Sequence, residues 1–437
     1  MVARKLCLSS ISLTLFLLEV FIVSCNLLPS NNTELPTGED NYLKVTIYDN
    51  PISKNPVSGI IVFINNIVSK ELIHSVKTDI NGIADFGNVD FEHIDLSYAY
   101  EDIDSREIFT FKHLSSGEWT IYIDREDPSL GMPISNINVQ VTSIPASYDH
   151  TEIQPMYDLS SSSNNGFHNN INVYPDDVQT DGGISIIASA WDGNNNPIKY
   201  GLLLDQSLLN GFTYEVPLLL IPSTIQFTTN RPIEQIDVSA IRKGVTYNIG
   251  GHFYTQAINS GEIPIFIEFS LSDPKSDIFE ISCGYNEELS STEWKGFVFV
   301  DYLTNISSNE VYINIPNFQI DSLTLYPDTR EIRWITSGDS SNLDFYMLES
   351  SFSSSDNIDA HWDVFINPSE SNAYFPELPP EISDWVNLNN KKDIHIVGAD
   401  YKEFEGLNDF YKFYFTGSFN KEPLLNYYSS YDVFSDS

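Results

Sequence analysis

Three cysteines in 437 residues are too few for a disulfide framework, so buried apolar surface has to hold this chain together. Basic residues are scarce too: 22 Lys and Arg stand against 61 Asp and Glu, a formal net charge of −39 spread along the whole length. Such a field repels phosphate backbones, and nucleic acid is excluded as a partner. The local signatures of catalysis are also missing. No His-Glu-x-x-His, Gly-x-Ser-x-Gly, Walker loop or Cys-x-x-Cys occurs. Ser272-Asp273-Pro274-Lys275 fits Ser-x-x-Lys by letters, but that chemistry needs both residues on one helical face and Pro274 forbids the helix. The histidines (His74, His93, His113, His150, His168, His252, His361, His395) include no two at i, i+3 or i+4. A metal site would have to be assembled in three dimensions, and no metal ligand or cofactor is assigned. Spacing singles out no carboxylate pair for glycoside hydrolysis among so many acids.

Helical periodicity is rare as well. What dominates is short period-two runs rich in Ile, Val, Thr, Tyr and Phe, separated by Asn, Asp, Gly, Ser and Pro. Leu43 to Tyr48, Trp119 to Ile123, Gly296 to Val300 and Val311 to Ile315 are examples. The best helical candidate starts at Pro379-Pro380-Glu381 and carries Ile382, Trp385, Val386 and Leu388. With hydrophobic residues at 41% and aromatics at 13%, wholesale disorder is excluded. The expected fold class is all-β, as immunoglobulin-like β-sandwiches in series.

The N-terminus has a different character. Arg4 and Lys5 precede an apolar run from Leu6 to Val23 that ends at the small residue Ser24, the layout of a signal peptide. The run closes as Ile22-Val23-Ser24-Cys25 and resembles the lipobox of bacterial lipoproteins: aliphatic at minus three, small at minus one, then an obligatory cysteine. Glu19 departs from the pattern, at an insertion cost of about 2.5–3.5 kcal/mol for a carboxylate at mid-bilayer. The competing reading, an uncleaved transmembrane anchor, lacks positive charges after the apolar run. The resemblance implies cleavage between Ser24 and Cys25, lipidation of Cys25, and anchoring to a membrane, stable with two or more acyl chains. Asn26, where aspartate often marks inner-membrane retention, leans the expectation to the outer membrane, on its periplasmic or surface face. Cys7 would leave with the leader and Cys25 be consumed by lipid, so Cys283 reads as a buried small apolar residue.

After residues 1–24 as leader, residues 25–41 (Pro29, Asn31, Asn32, Pro36, Gly38) read as a polar tether. About 410 residues follow the leader, more than one core holds. The expected units are 42–127, 133–221, 222–316 and 317–420, with 421–437 as a tail and a Ser/Asn-rich loop at 160–170. In the first unit, Thr78-Asp79-Ile80-Asn81-Gly82-Ile83-Ala84-Asp85-Phe86 carries the Asn-Gly hairpin signal. It resembles the corresponding turn of carboxypeptidase regulatory-like, prealbumin-like sandwich domains, which implies a folding or spacer module without catalytic residues. Some pilin-type relatives cross-link Lys to Asn; Lys44 and Asp124 stand at similar positions, but Asp124 is not Asn, and solvated charge is the simpler reading.

In the second unit, Ala190-Trp191-Asp192-Gly193-Asn194-Asn195-Asn196 is similar to the strand-turn-strand of polycystic-kidney-disease-like and cadherin-like sandwiches. Asp192, Asn194 and Asn196 offer alternate oxygens, yet no bidentate Glu follows at the twelfth place, so a polar turn is read in preference to calcium. Around Tyr326 to Trp334 the fourth unit resembles a fibronectin-type-III-like sandwich with core tryptophans at Trp334 and Trp362. Trp294, Tyr302, Trp385 and Tyr401 are the aromatics that a sugar platform would use. The expected function is a structural or adhesive binding protein that does not catalyse, with a surface glycan or protein as ligand. The alternative is a glycan-binding or polysaccharide-processing lipoprotein.

Overall fold

The computed structural model describes residues 42–434 except 52, 103–104, 124–132, 155–162, 164, 194–196, 244, 266–277, 304–309, 354–357 and 417–423. Ser24, Cys25, Asp124, Asn194–Asn196 and Ser272–Lys275 lie outside the described residues. The chain is all-β. The first strands are β1 (Tyr42–Tyr48), β2 (Ile61–Asn65), β3 (Leu72–Lys77), β4 (Ile83–Asn88), β5 (His93–Glu101), β6 (Ser105–Ser115) and β7 (Gly117–Tyr122). Then come β8 (Ser135–Thr142), β9 (His150–Gln154), β10 (Phe167–Val173), β11 (Gly183–Trp191), β12 (Pro197–Ser207) and β13 (Thr213–Pro217). The third group is β14 (Ser223–Arg242), β15 (Val245–Ile265), β16 (Ile278–Ser290), β17 (Glu293–Leu303) and β18 (Glu310–Ile313). The last is β19 (Gln319–Tyr326), β20 (Glu331–Ser337), β21 (Phe345–Phe352), β22 (Asp359–Ile366), β23 (Asn372–Tyr374), β24 (Lys391–Tyr401), a helix α1 (Leu407–Thr416) and β25 (Leu425–Phe434).

Three-stranded sheets β4-β1-β7, β10-β8-β13, β12-β11-β9 and β19-β20-β23 surround a central sheet ordered β15-β14-β16-β17-β25-β24-β21-β22-β6-β5-β2-β3, with β18 paired to β14. The sandwiches follow one another along the chain, but strands of three of them share this central sheet. One joint is parallel: β22 pairs β6 from Asp359↔Ser105 to Phe365↔Phe111. The other is β25, which runs antiparallel to both β17 and β24. Residues 421–437 were expected to form a tail, yet β25 within them is interior to the sheet and buries Tyr427 and Tyr431 at 1% and 3% exposure. The alternation of Tyr427, Ser429, Tyr431 and Val433 provides its inward face.

Each core follows from period-two burial. Leu43, Val45 and Ile47 of β1 face Val62, Ile64, Leu96 and Phe111 of the central sheet. Ile137, Val139 and Val141 of β8 face Ile184, Ile186 and Ala188 of β11. A third core runs beneath the other face of the central sheet, from Phe63 through Trp362 and Leu348 to Ile281. A fully buried large apolar side chain is worth roughly 1.5–3 kcal/mol, so these three cores replace the missing disulfides.

The Asn-Gly turn is present in a different form. Gly82 alone takes positive φ, +73°, while the Gly82 amide donates to Asp79 O (3.0 Å) and the Asp79 amide to Ile83 O (2.9 Å). Asp79 Oδ1 also accepts from the Asn81 and Ile83 amides. This is a three-residue loop closed by glycine, and it is not the expected hairpin, since β3 pairs with β2 and β4 with β1 in another sheet. A Cβ at Gly82 would sit 2.4 Å from Ile47 O, so the position demands glycine twice over.

The expected helix after Pro379 is a run of turns. Ile382 and Trp385 are buried at 0% and 9% exposure, and the segment ends in a single 3-10 turn at Leu388–Asn390. The actual helix, α1, places Leu407, Tyr411, Tyr414 and Phe415 against Phe111, Phe365 and Trp119. Its apolar residues keep helical spacing, but Phe and Tyr are strand formers by propensity and disguise the period.

Candidate functional site

The two faces of the central sheet differ. On β22, Ala360, Trp362 and Val364 point into the large core, and Asp359, His361, Asp363 and Phe365 take the other face by alternation. Under α1 that other face is apolar, with Phe365, Met347 and Val397 in cross-strand register. One step further along the strands it turns ionisable. Asp363 of β22 opposes Glu349 of β21, Glu349 opposes His395 of β24, His395 opposes Asp432 of β25, and Asp432 opposes Trp294 of β17. A second row holds Glu107, His361, Ser351 and Asp393, with His361 Nδ1 3.2 Å from Ser351 Oγ.

His395 is clamped between carboxylates. Its Nδ1 hydrogen-bonds Asp432 Oδ1, and its Nε2 lies 3.8 Å from Glu349 Oε2. Side-chain exposures of 17% for His395, 21% for Asp432 and 36% for Glu349 leave the row open to water from one side. Burial works against the imidazolium, but Asp432, by charge and hydrogen bond, and then Glu349 and Asp393 outweigh it and push the His395 pKa up to about 9. Burial raises Asp363 well above the usual carboxylate range, and Glu349 and Glu107 add to the rise against His395. Glu349 is raised by burial too, with His395 opposing and Asp432 and Asp393 adding. Opposed side chains on neighbouring strands have β-carbons about 4.5–5.5 Å apart, and the Glu349 charge is accordingly one cause of the Asp363 rise. Tyrosines border the row: Tyr98 and Tyr414 hydroxyls lie 3.2 Å apart, and burial raises Tyr428, with Asp432, Tyr401 and Glu349 contributing.

Among the described residues, no group of three or more His, Cys, Asp or Glu side chains is placed to hold a metal ion. The residues named from sequence fall elsewhere. Trp334 and Trp362 are core residues at 3% and 1% exposure, and Trp362 Nε1 donates to Thr110 Oγ1 at 2.9 Å. Trp385 lies beneath the Arg106 guanidinium, 5.4 Å away, Tyr401 stacks on Phe345, and Tyr302 donates to Leu425 O. Of the four suggested platform aromatics, Trp294 alone lies in the ionisable row. Lys44 pairs with Glu118 at 3.3 Å on the neighbouring strand. Asp192 closes β11 at intermediate exposure. Cys283 is buried, and burial, with Asp237 and Asp301, pushes its thiol up to about 12. No residue of the row was marked by local spacing; only strand register gathers it.

No family model matches the chain, and no curated protein matches it. A solved structure of the phage phi92 endosialidase aligns at 7% identity over 93% of this chain and 69% of its own, with a TM-score of 0.08. At that score the alignment carries no argument about fold or function.

His395 has a folded pKa of about 9 above an unfolded value near 6.5. Its stabilisation is therefore complete below about pH 6.5 and lost as pH rises through about 9. Raised Asp363 and Glu349 act in the same direction, since the fold favours their protonated forms. Thermal midpoints measured from pH 6 to 9.5 are expected to fall, and the fall should be shallower in His395→Gln. Equal slopes for the two proteins would remove the clamp.

Proposed function

We propose that the protein is a membrane-anchored lipoprotein, on the periplasmic or surface face of an outer membrane, acting as a structural or adhesive binding protein. The observation that carries the reading is Ile22-Val23-Ser24-Cys25 behind a positive start and an apolar core. Acyl chains on Cys25 contribute about 0.8 kcal/mol per buried methylene, enough for stable anchoring when two or more are present. Seventeen polar-rich residues, 25–41, would then separate the lipid from the sandwiches. The continuous hydrogen-bonded sheet supports a positioning role, because a load on one sandwich passes to the next through ladder hydrogen bonds. Among the described residues no helix is long and apolar enough to cross a membrane.

Asp363 and Glu349, opposed across two strands and both raised above the usual carboxylate range, favour a second reading, polysaccharide processing. Retaining glycosidases hold two carboxyl groups about 5–5.5 Å apart, one with a raised pKa as the acid. On the binding reading, the purified full chain should release no reducing sugar from neutral or acidic polysaccharides. Turnover that disappears in both Glu349→Gln and Asp363→Asn would replace the binding reading by the enzymatic one.

The anchor is tested by Cys25→Ser in a bacterial host with lipoprotein-processing enzymes. The wild type should fractionate with membranes and label with a fatty-acid probe, whereas the variant should be unlabelled and soluble. A variant that stays on membranes after a high-salt wash contradicts the lipoprotein reading.

A further inference from the structure

The outer face of the β10-β8-β13 sheet has a chemistry unlike the rest of the molecule. Ile137, Val139 and Val141 of β8, with Ile171 and Val173 of β10, fill the core, so alternation turns Asn136, Asn138 and Gln140 to solvent. Asn136 opposes Asn172, and Gln140 opposes Phe167, on β10; Asn138 opposes Thr213, and Gln140 opposes Glu215, on β13. A bulge between His168 and Ile171 puts Asn170 at positive φ, +54°, where its amide donates to Asn138 Oδ1 at 3.0 Å. Asn136 Nδ2 donates to Asn172 Oδ1 at 3.3 Å. Gln140 Nε2 donates to Val141 O at 3.0 Å, so each of the three β8 amides is held by at least one partner, in rows about 4.8 Å apart across the strands and about 6.8 Å apart along them. Asn170, Asn172, Thr213 and Glu215 are exposed, and Phe167 presents its ring on the same face at 40% exposure.

In a chain with 61 acids, β8 and β10 carry no Asp, Glu, Lys or Arg, and Glu215 is the one charged residue named on this face. An amide side chain has two donor hydrogens and an acceptor oxygen with two lone pairs, so the internal hydrogen bonds of Asn136, Asn138 and Gln140 leave each with capacity for a ligand. We propose that this face is a binding site for a neutral polysaccharide, whose hydroxyls meet the amide grid and whose sugar ring stacks on Phe167. The match is one of charge and hydrogen bonding. The surrounding field disfavours anionic chains, the uncharged grid gives a cationic partner little to pair with, and Phe167 is too small an apolar anchor for a protein hot spot. The site rests on the reading of the chain as a binding protein and names its ligand class; it is independent of the lipid anchor.

The test is affinity electrophoresis of the detergent-solubilised full chain in native gels containing a neutral β-glucan, a mannan or a galactan, with hyaluronan as the anionic control. At least one neutral polymer should retard the protein and hyaluronan should not. Phe167→Ala should weaken the retardation about tenfold. Asn138→Asp, which keeps the acceptor for the Asn170 amide but adds a charge beside the sugar path, should weaken it as well, with unchanged melting temperatures for both variants. Retardation by none of the three neutral polymers overturns the proposal, as does equal retardation by hyaluronan or wild-type affinity in both variants. Concentration-dependent self-association abolished by Asn138→Asp would assign the face to a second copy instead. A Cys25→Ser variant that stays on membranes would overturn the anchor and leave all these outcomes unaffected, so the two readings fail separately.

Discussion

The shared central sheet depends on the backbone ladder between β22 and β6. The ladder is parallel and joins residues more than 240 positions apart, from Asp359↔Ser105 to Phe365↔Phe111. Closing so long a loop costs little more than closing a short one, since the entropy grows only with the logarithm of its length. Once that ladder forms, the first and last sandwiches share a sheet, and β25, by pairing with both β17 and β24, brings in the third. Side chains reinforce the joint: Asn65 Nδ2 donates to Glu377 O at 2.8 Å, and the Leu72 amide to Glu377 Oε2 at 3.1 Å. Within the first sandwich, Lys70 reaches the fully buried Asp95 at 3.6 Å.

A shared sheet makes two shared faces, and the sequence alternation of each strand has to agree with its neighbours across the joints. On one face the agreement is apolar and yields the large core that contains Trp362, Leu348 and Ile396. On the other, α1 covers Phe111 and Phe365, and beyond the helix the same columns carry Asp363, Glu349, His395 and Asp432. Burial is what raises Asp363 and Glu349, and the carboxylates around His395 are what raise it against burial. An isolated surface carboxylate would keep its ordinary value, and a fully enclosed one without a cation would cost several kcal/mol.

The all-β class was legible because period two is strong in runs such as Leu43 to Tyr48, and the buried Trp334 and Trp362 were legible because a tryptophan inside such a run has few other places to go. Gly82 was recognisable as a turn glycine, though the form of the turn depends on Asp79, whose carboxylate caps two amides. What could not be read is whatever depends on pairing between distant strands. β25 falls in the expected tail, and only its pairing with β17 and β24 turns Tyr427 and Tyr431 to the core. The row from Asp363 to Asp432 draws one residue from each of four strands, and no local window contains two of them. The helix α1 was hidden by its own aromatics, which packing with Trp119 and Phe111 selects over helix propensity. The amide face of β8 and β10 was visible as letters, but its flatness and exposure were not, since the 160–170 stretch read as a loop and Phe167 to Asn170 in fact open a strand.

The shared central sheet is tested most directly by native-state hydrogen exchange of the full chain, resolved to peptides. Amides of β25 from Tyr427 to Tyr431 should be among the slowest to exchange, and should open in one step with those of β22 and β6 as denaturant is raised. Exchange of the Tyr427–Tyr431 amides at the rate of a free tail, or separate opening of β6 and β22, would contradict the single-sheet account.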